Sequence, residues 1–115
     1  MIIGSISEDL NVEKRVAITP DIVKKYISLG LKVNLSKNYA SHIGINDNQY
    51  EIEGAKILPS NAEVISNSNA ILQMNILSDE NLVKLVKDQI LIGVLNPYNN
   101  EKKIKEIISK NVNCF

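Results

Sequence analysis

Arg15 is the single arginine of a 115-residue chain that otherwise carries twelve lysines. It stands in EKRVAITP, residues 13 to 20, a few positions after Glu8 and Asp9 and beside Glu13 and Lys14. A planar guanidinium in such a loop can grip a carboxylate or a phosphate by two parallel hydrogen bonds. It could equally pair with Glu8 or Glu13, and an exposed pair of that kind contributes little. Gln73 and Asn75 lie at the exit of the apolar run AILQM, and Asn96 follows QILIGVL. Strand alternation points Gln73 and Asn75 to the same side, where their amides could hold a ligand or cap the next segment. Asn96-Pro97 is a turn signal before anything else. His42, the only histidine, has no second ligand at metal-binding spacing and reads as a solvated loop residue.

The elements that must position these residues alternate regularly. Met1 to Ile6 reads as a buried strand. Thr19 can cap a helix that has Pro20 in its first position, Asp21 in its first turn and Gly30 as its stop. LKVNL, residues 31–35, alternates apolar and polar, which predicts a strand with one face toward solvent. A polar loop runs from Ser36 to Asn46, and a short helix from Asp47 to Glu53 ends at Gly54. AKIL is a strand, NAEVISN a short helix, and AILQM a buried strand. Ser78 caps a helix with Leu82, Val83, Leu85 and Val86 inward. QILIGVL reads as a central strand, Asn99 to Lys110 as a helix, and NVNCF as the start of another strand. Tyr26, Tyr39 and Tyr50 suit half-buried helix and loop positions. This order predicts an α/β fold, a doubly wound and mainly parallel sheet of the flavodoxin-like or Rossmann-like kind, in one domain spanning residues 1–115.

Ligands of such a sheet bind beyond the carboxyl ends of its strands. Four places reach that edge: the loop after Ile6, the turn after Leu35, Gln73 to Asn75, and Asn96 to Asn99. A chain that stops on a strand leaves one sheet face without its covering helix, so the expectation is the front portion of a longer, sticky or dimeric protein.

Composition narrows the function. The formal net charge is zero with lysines scattered among acids, which argues against a nucleic-acid partner. No apolar run reaches the roughly 20 residues that cross a bilayer, and MIIGSISEDL lacks the features of a secretory signal. A cytoplasmic place is expected. The lone Cys114 excludes a disulfide framework and a cysteine metal site. There is no GxGxxG, no P-loop and no convincing Ser-His-Asp set, so no catalytic residue is assigned. A two-component receiver domain is excluded: AKIL leads into PSNAE without the phosphoacceptor aspartate, and LIGVL leads into NPYN without the lysine.

From MIIGSISE through EKRVAITPDIVKKYISLGLKVNL the chain resembles the N-terminal domain shared by alanine dehydrogenase and the α subunit of proton-translocating NAD(P) transhydrogenase. The matching residues are Gly4, Glu8, Arg15-Val16-Ala17, Thr19-Pro20 and Gly30, then Asp47, Tyr50, Gly54 and Ala55. The turn KNYASHIG departs from the family's Gly-Ala-Gly. In the alanine dehydrogenases the segment matching Gln73-Met74-Asn75 resembles Lys-Val-Lys, whose second lysine grips the substrate, and a histidine stands near Asn96. Transhydrogenases resemble Lys-Val-Asn there and lack that histidine. Asn75 and Asn96 therefore favour the transhydrogenase branch, although Gln73 departs from both. The resemblance implies NAD(H) in a full-length protein and hydride transfer from NADH to NADP. It also implies a separate NAD-binding half, an NADP-binding subunit and membrane subunits as partners, a homodimer, and a place peripheral to the inner membrane. No cofactor is expected to bind this chain alone. Arg15, Gln73, Asn75 and Asn96 are the cleft-facing candidates. Two alternatives are an alanine- or saccharopine-dehydrogenase-like enzyme and a stand-alone, non-catalytic binding or assembly module.

Overall fold

The structure is a computed structural model that describes residues 1–8, 15–74, 85 and 88–93, with the backbone of 113–114. Strand β1 is Ile2–Ser5, and helix α1, Pro20–Ser28, follows. Strand β2 is Lys32–Ser36, and a single 3-10 turn occupies Ser41–Ile43. Helix α2 is Asp47–Ile52, strand β3 Lys56–Leu58, and helix α3 Asn61–Ser66. Strands β4, β5 and β6 are Ala70–Gln73, Ile90–Gly93 and Asn113–Cys114. The sheet order is β3-β2-β1-β4-β5-β6 and every neighbouring pair is parallel. That is the order of dinucleotide-binding sheets rather than the flavodoxin order. The helices expected after Ser78 and from Asn99 to Lys110 lie outside the described residues.

Local signals set most of these boundaries. Thr19 occupies the N-cap position of α1 in extended conformation, with Pro20 first in the helix, but its hydroxyl makes no capping bond. Asn46 caps α2 in a reciprocal box with Gln49: Asn46 Oδ1 accepts from the Gln49 N–H and Gln49 Oε1 from the Asn46 N–H. Gly30 and Gly54 turn the chain after α1 and α2 with φ of 84° and 109°, angles that side chains rarely adopt.

The sheet is covered on both faces. Ile6, Leu58, Val64, Ile65, Ile71, Leu85 and Leu91 form one core, on the side of α3. Ile18, Val23, Val33, Leu35, Tyr39, Ala40, Tyr50 and Ala55 form the other, on the side of α1 and α2. The alternation in LKVNL predicts one face toward solvent, yet Asn34 is buried, and Ser36, expected to open the polar loop, is buried at the end of β2. They are tolerated because each is bonded: Asn34 Nδ2 donates to Asn67 O (3.3 Å), and Ser36 Oγ accepts from the Ser7 N–H (2.9 Å). Close approach of α3 to the sheet needs Gly4. A Cβ there would stand 2.2 Å from Ser68 Oγ and 3.0 Å from Val64.

Candidate functional site

The strand order reverses between β1 and β4, and at that point an open parallel sheet presents its crevice. Here the crevice is bridged by the protein's own side chains. Gln73, at the end of β4, reaches across to the chain leaving β1. Its Oε1 accepts from the Ile6 N–H (2.7 Å) and from Ser5 Oγ (3.0 Å). Its Nε2 donates to Ile6 O (3.0 Å) and to Glu8 Oε2 (2.9 Å). Both lone pairs and both protons of the amide are thereby engaged. Gln73, a cleft-facing candidate by sequence, is buried and ties β1 to β4. Glu8 is buried too, and its other oxygen accepts from the Met74 N–H. A carboxylate therefore stands fixed at the reversal point, with the Gln73 amide and the Met74 N–H among its partners.

Arg15 opens a strap, residues 15–19, that leads into α1. Its side chain is exposed, whereas Ile18, three residues on, is completely buried. The Ile18 peptide is held from both sides. Its N–H donates to Tyr39 Oη (3.2 Å), and its carbonyl accepts from Tyr50 Oη (2.8 Å). The two rings meet edge to face, with centroids 5.7 Å apart and planes at 81°. Tyr39 Oη also lies 2.7 Å from Ser5 Oγ. The proton order follows from counting. Ser5 has one hydroxyl proton, which it shares between the acceptors Leu72 O (2.6 Å) and Gln73 Oε1 (3.0 Å), so Tyr39 must be the donor to Ser5. The chain Ile18 N–H to Tyr39 to Ser5 to Leu72 O is fully ordered, and each bond polarises the next.

This burial dominates the phenols. Tyr39 is pushed up from 10.0 to about 12, first by desolvation and in part by the nearby Glu8 charge, against the lowering effect of its bonds to Ser5 and Ile18. Tyr50 is raised further, again chiefly by burial. The sequence places both tyrosines half-buried; they are among the most buried side chains of the fold. Nothing local to KNYASHIG marks Tyr39 for this role, since its partners Ser5 and Ile18 lie far along the chain.

Asn75 and Asn96 lie outside the described residues. His42 is exposed in the 3-10 turn, and among the described residues no three metal-ligating side chains come together. Nor is any described helix long and apolar enough to cross a membrane. A dinucleotide does not fit the reversal point. Between Gly4 and Gly30 the sequence has no glycine, so the glycine-rich fingerprint of a pyrophosphate-cradling turn is missing from the segment after β1. The Ile6 and Met74 N–H groups are already bonded, and the Glu8 carboxylate stands beside them.

The family model for the alanine dehydrogenase/PNT N-terminal domain matches residues 4–115. The chain belongs to that family. It is 30% identical over its whole length to the first part of an NAD(P) transhydrogenase alpha subunit from Rickettsia prowazekii, covering 31% of that protein. It is 32% identical over 97% of its length to an alanine dehydrogenase from Methanococcus maripaludis, covering 30% of it. Among solved structures, the transhydrogenase of Sinorhizobium meliloti superposes with a TM-score of 0.91 at 26% identity, over 100% of this chain and 34% of that one. The chain thus spans about a third of the length of the relatives it matches. Those relatives are oxidoreductases by name, and the domain shares their α/β, Rossmann-like fold.

Proposed function

We propose that this domain is the N-terminal part of the NAD(H)-binding component of a transhydrogenase, in which hydride passes from NADH to NADP held by a partner component. One observation supports the branch. By residue type, Asn75 and Asn96 are neutral amides at the positions where the resemblance gives an amino-acid dehydrogenase a lysine and a histidine. A small carboxylate substrate is held by charge-assisted bonds from paired cationic groups. Asn75 and Asn96 are both amides, while Gln73 departs from both branches. The Gln73 amide is fully engaged by Ser5, Ile6 and Glu8. Asn75 and Asn96 enter by residue type alone. Identity does not separate the branches, since it is 30% to the transhydrogenase and 32% to the dehydrogenase.

In this reading NAD(H) is held by a second half, and the present domain walls one side of the cleft. Arg15 shapes and charges that wall near the nicotinamide. The partners are the NAD-binding half, an NADP-binding subunit and proton-translocating membrane subunits, with a second copy of the component completing a homodimer. The test is to read the gene past the codon for Phe115 and to assay the encoded protein in two ways. NADH-dependent reduction of an NADP analogue, in the presence of an NADP-binding component, supports the proposal. Pyruvate- and ammonia-dependent oxidation of NADH overturns it in favour of an amino-acid dehydrogenase.

A further inference from the structure

We propose that Tyr39 is a positioning residue for Arg15: its hydroxyl locks the strap that carries the arginine to the carboxyl ends of β1 and β4. The inference rests on the reading above that Arg15 faces the cleft. Three observations carry it. First, the strap has its deepest anchor at one peptide. Between the exposed Arg15 and the start of α1, only Ile18 is fully buried, and its peptide is the piece both phenols hold. Second, the two phenols are not equivalent. Tyr50 joins the strap to α2, whereas Tyr39 continues through Ser5 to Leu72 O and Gln73 Oε1, at the edge where Glu8 is fixed. Of the two phenols, Tyr39 is therefore the one that ties the strap to the strand ends. Third, Tyr39 stands at the turn after β2, where the neighbouring Asn38 adopts a positive φ of 60° and its N–H is held by the Asp47 carboxylate. The turn is braced, so the hydroxyl is a fixed point and not a mobile tip.

A residue that acts through another must lose its effect when the other is removed. Tyr39→Phe deletes the hydroxyl and keeps the ring, so packing against Tyr50 survives. Ser5→Ala, a second variant, deletes the next link. In the full-length protein encoded by the gene, both variants are read by amide exchange at Val16 to Ile18 and by hydride transfer, each with Arg15 intact and with Arg15→Ala. The expected result is exchange at Ile18 faster by about five- to tenfold, the loss of one buried hydrogen bond. A comparable fall in kcat/KM is expected with Arg15 present and none with Arg15→Ala. Tyr50→Phe should accelerate exchange at the strap with a smaller effect on kcat/KM. Unchanged exchange at Ile18 in both variants overturns the proposal, as does a kcat/KM loss of equal size with and without Arg15. If no hydride transfer is found, the transhydrogenase reading falls by itself. Exchange at the strap then decides the lock: acceleration in Tyr39→Phe and Ser5→Ala sustains it, and its absence overturns it.

Discussion

On the α3 side of the sheet the core is aliphatic, built from Ile6, Leu58, Val64, Ile65, Ile71, Leu85 and Leu91, whereas the α1–α2 side buries the phenols of Tyr39 and Tyr50 among Val23, Val33 and Leu35. The aliphatic side is specified by shape, and Gly4 lets α3 settle onto β1. The phenolic side is specified by hydrogen bonds as well. Each hydroxyl must reach a partner or pay for its burial, and the partner both find is the Ile18 peptide. The difference shows how a fold can hold an exposed, charged loop in place without burying the charge. Arg15 stays at the surface while a neighbouring peptide is anchored from below.

The largest effect should come from removing a phenol outright. Tyr39→Ala is expected to destabilise by about 3–5 kcal/mol, since it leaves a cavity and two unpaired polar groups. Urea unfolding followed by circular dichroism measures it. Ile71→Val on the aliphatic side should cost about 0.5–1.5 kcal/mol in the same experiment. Equal losses would erase the contrast between the faces.

Alkaline pH should act on the phenolic side alone. The folded Tyr39 holds its proton up to about 12, against 10.0 for the ordinary phenol. Its contribution is fully present below pH 10.0, where both states are protonated, and is lost as pH rises toward 12. Stability should therefore decline across that interval, by on the order of 2 kcal/mol from this group. The decline should be shallower in Tyr39→Phe. Unfolding at a series of pH values, with phenolate absorbance as a second signal, checks both the sign and the window.

Gly4→Ala sharpens the comparison from the aliphatic side. Its Cβ would meet Ser68 Oγ, which is itself donated to Val64 O, so α3 must shift. The expected cost is about 1–3 kcal/mol, with the pH dependence unchanged. Smallest is Asn46→Ala, which removes the cap of α2 at about 1 kcal/mol. It should leave exchange at Ile18 nearly as it was.

The features legible in the sequence were those written over a few neighbouring residues. Thr19-Pro20 and Gly30 bound α1, Gly54 follows α2, and the strand and helix alternation gives a doubly wound parallel sheet. What was not legible depends on partners far apart. Asn34 looks solvent-facing by alternation and Ser36 looks like the start of a polar loop, because the groups that satisfy them, Asn67 and Ser7, are about 30 residues away. Gln73 looks like a ligand amide until Ile6, 67 residues earlier, is found beneath it. Tyr39 carries no local mark of its burial. Arg15 stands out in the sequence only as the single arginine, and the side chains that hold its strap, Tyr39 and Tyr50, lie far along the chain.

The measurement that reaches the central claim most directly is pyruvate binding to the encoded full-length protein and to its Arg15→Ala variant, by titration calorimetry in the presence of NADH. The expected result is no pyruvate binding by either, with hydride transfer to an NADP analogue retained in the unsubstituted protein. Pyruvate binding that Arg15→Ala abolishes would contradict it. Arg15 would then be a substrate-gripping residue, and the protein an amino-acid dehydrogenase.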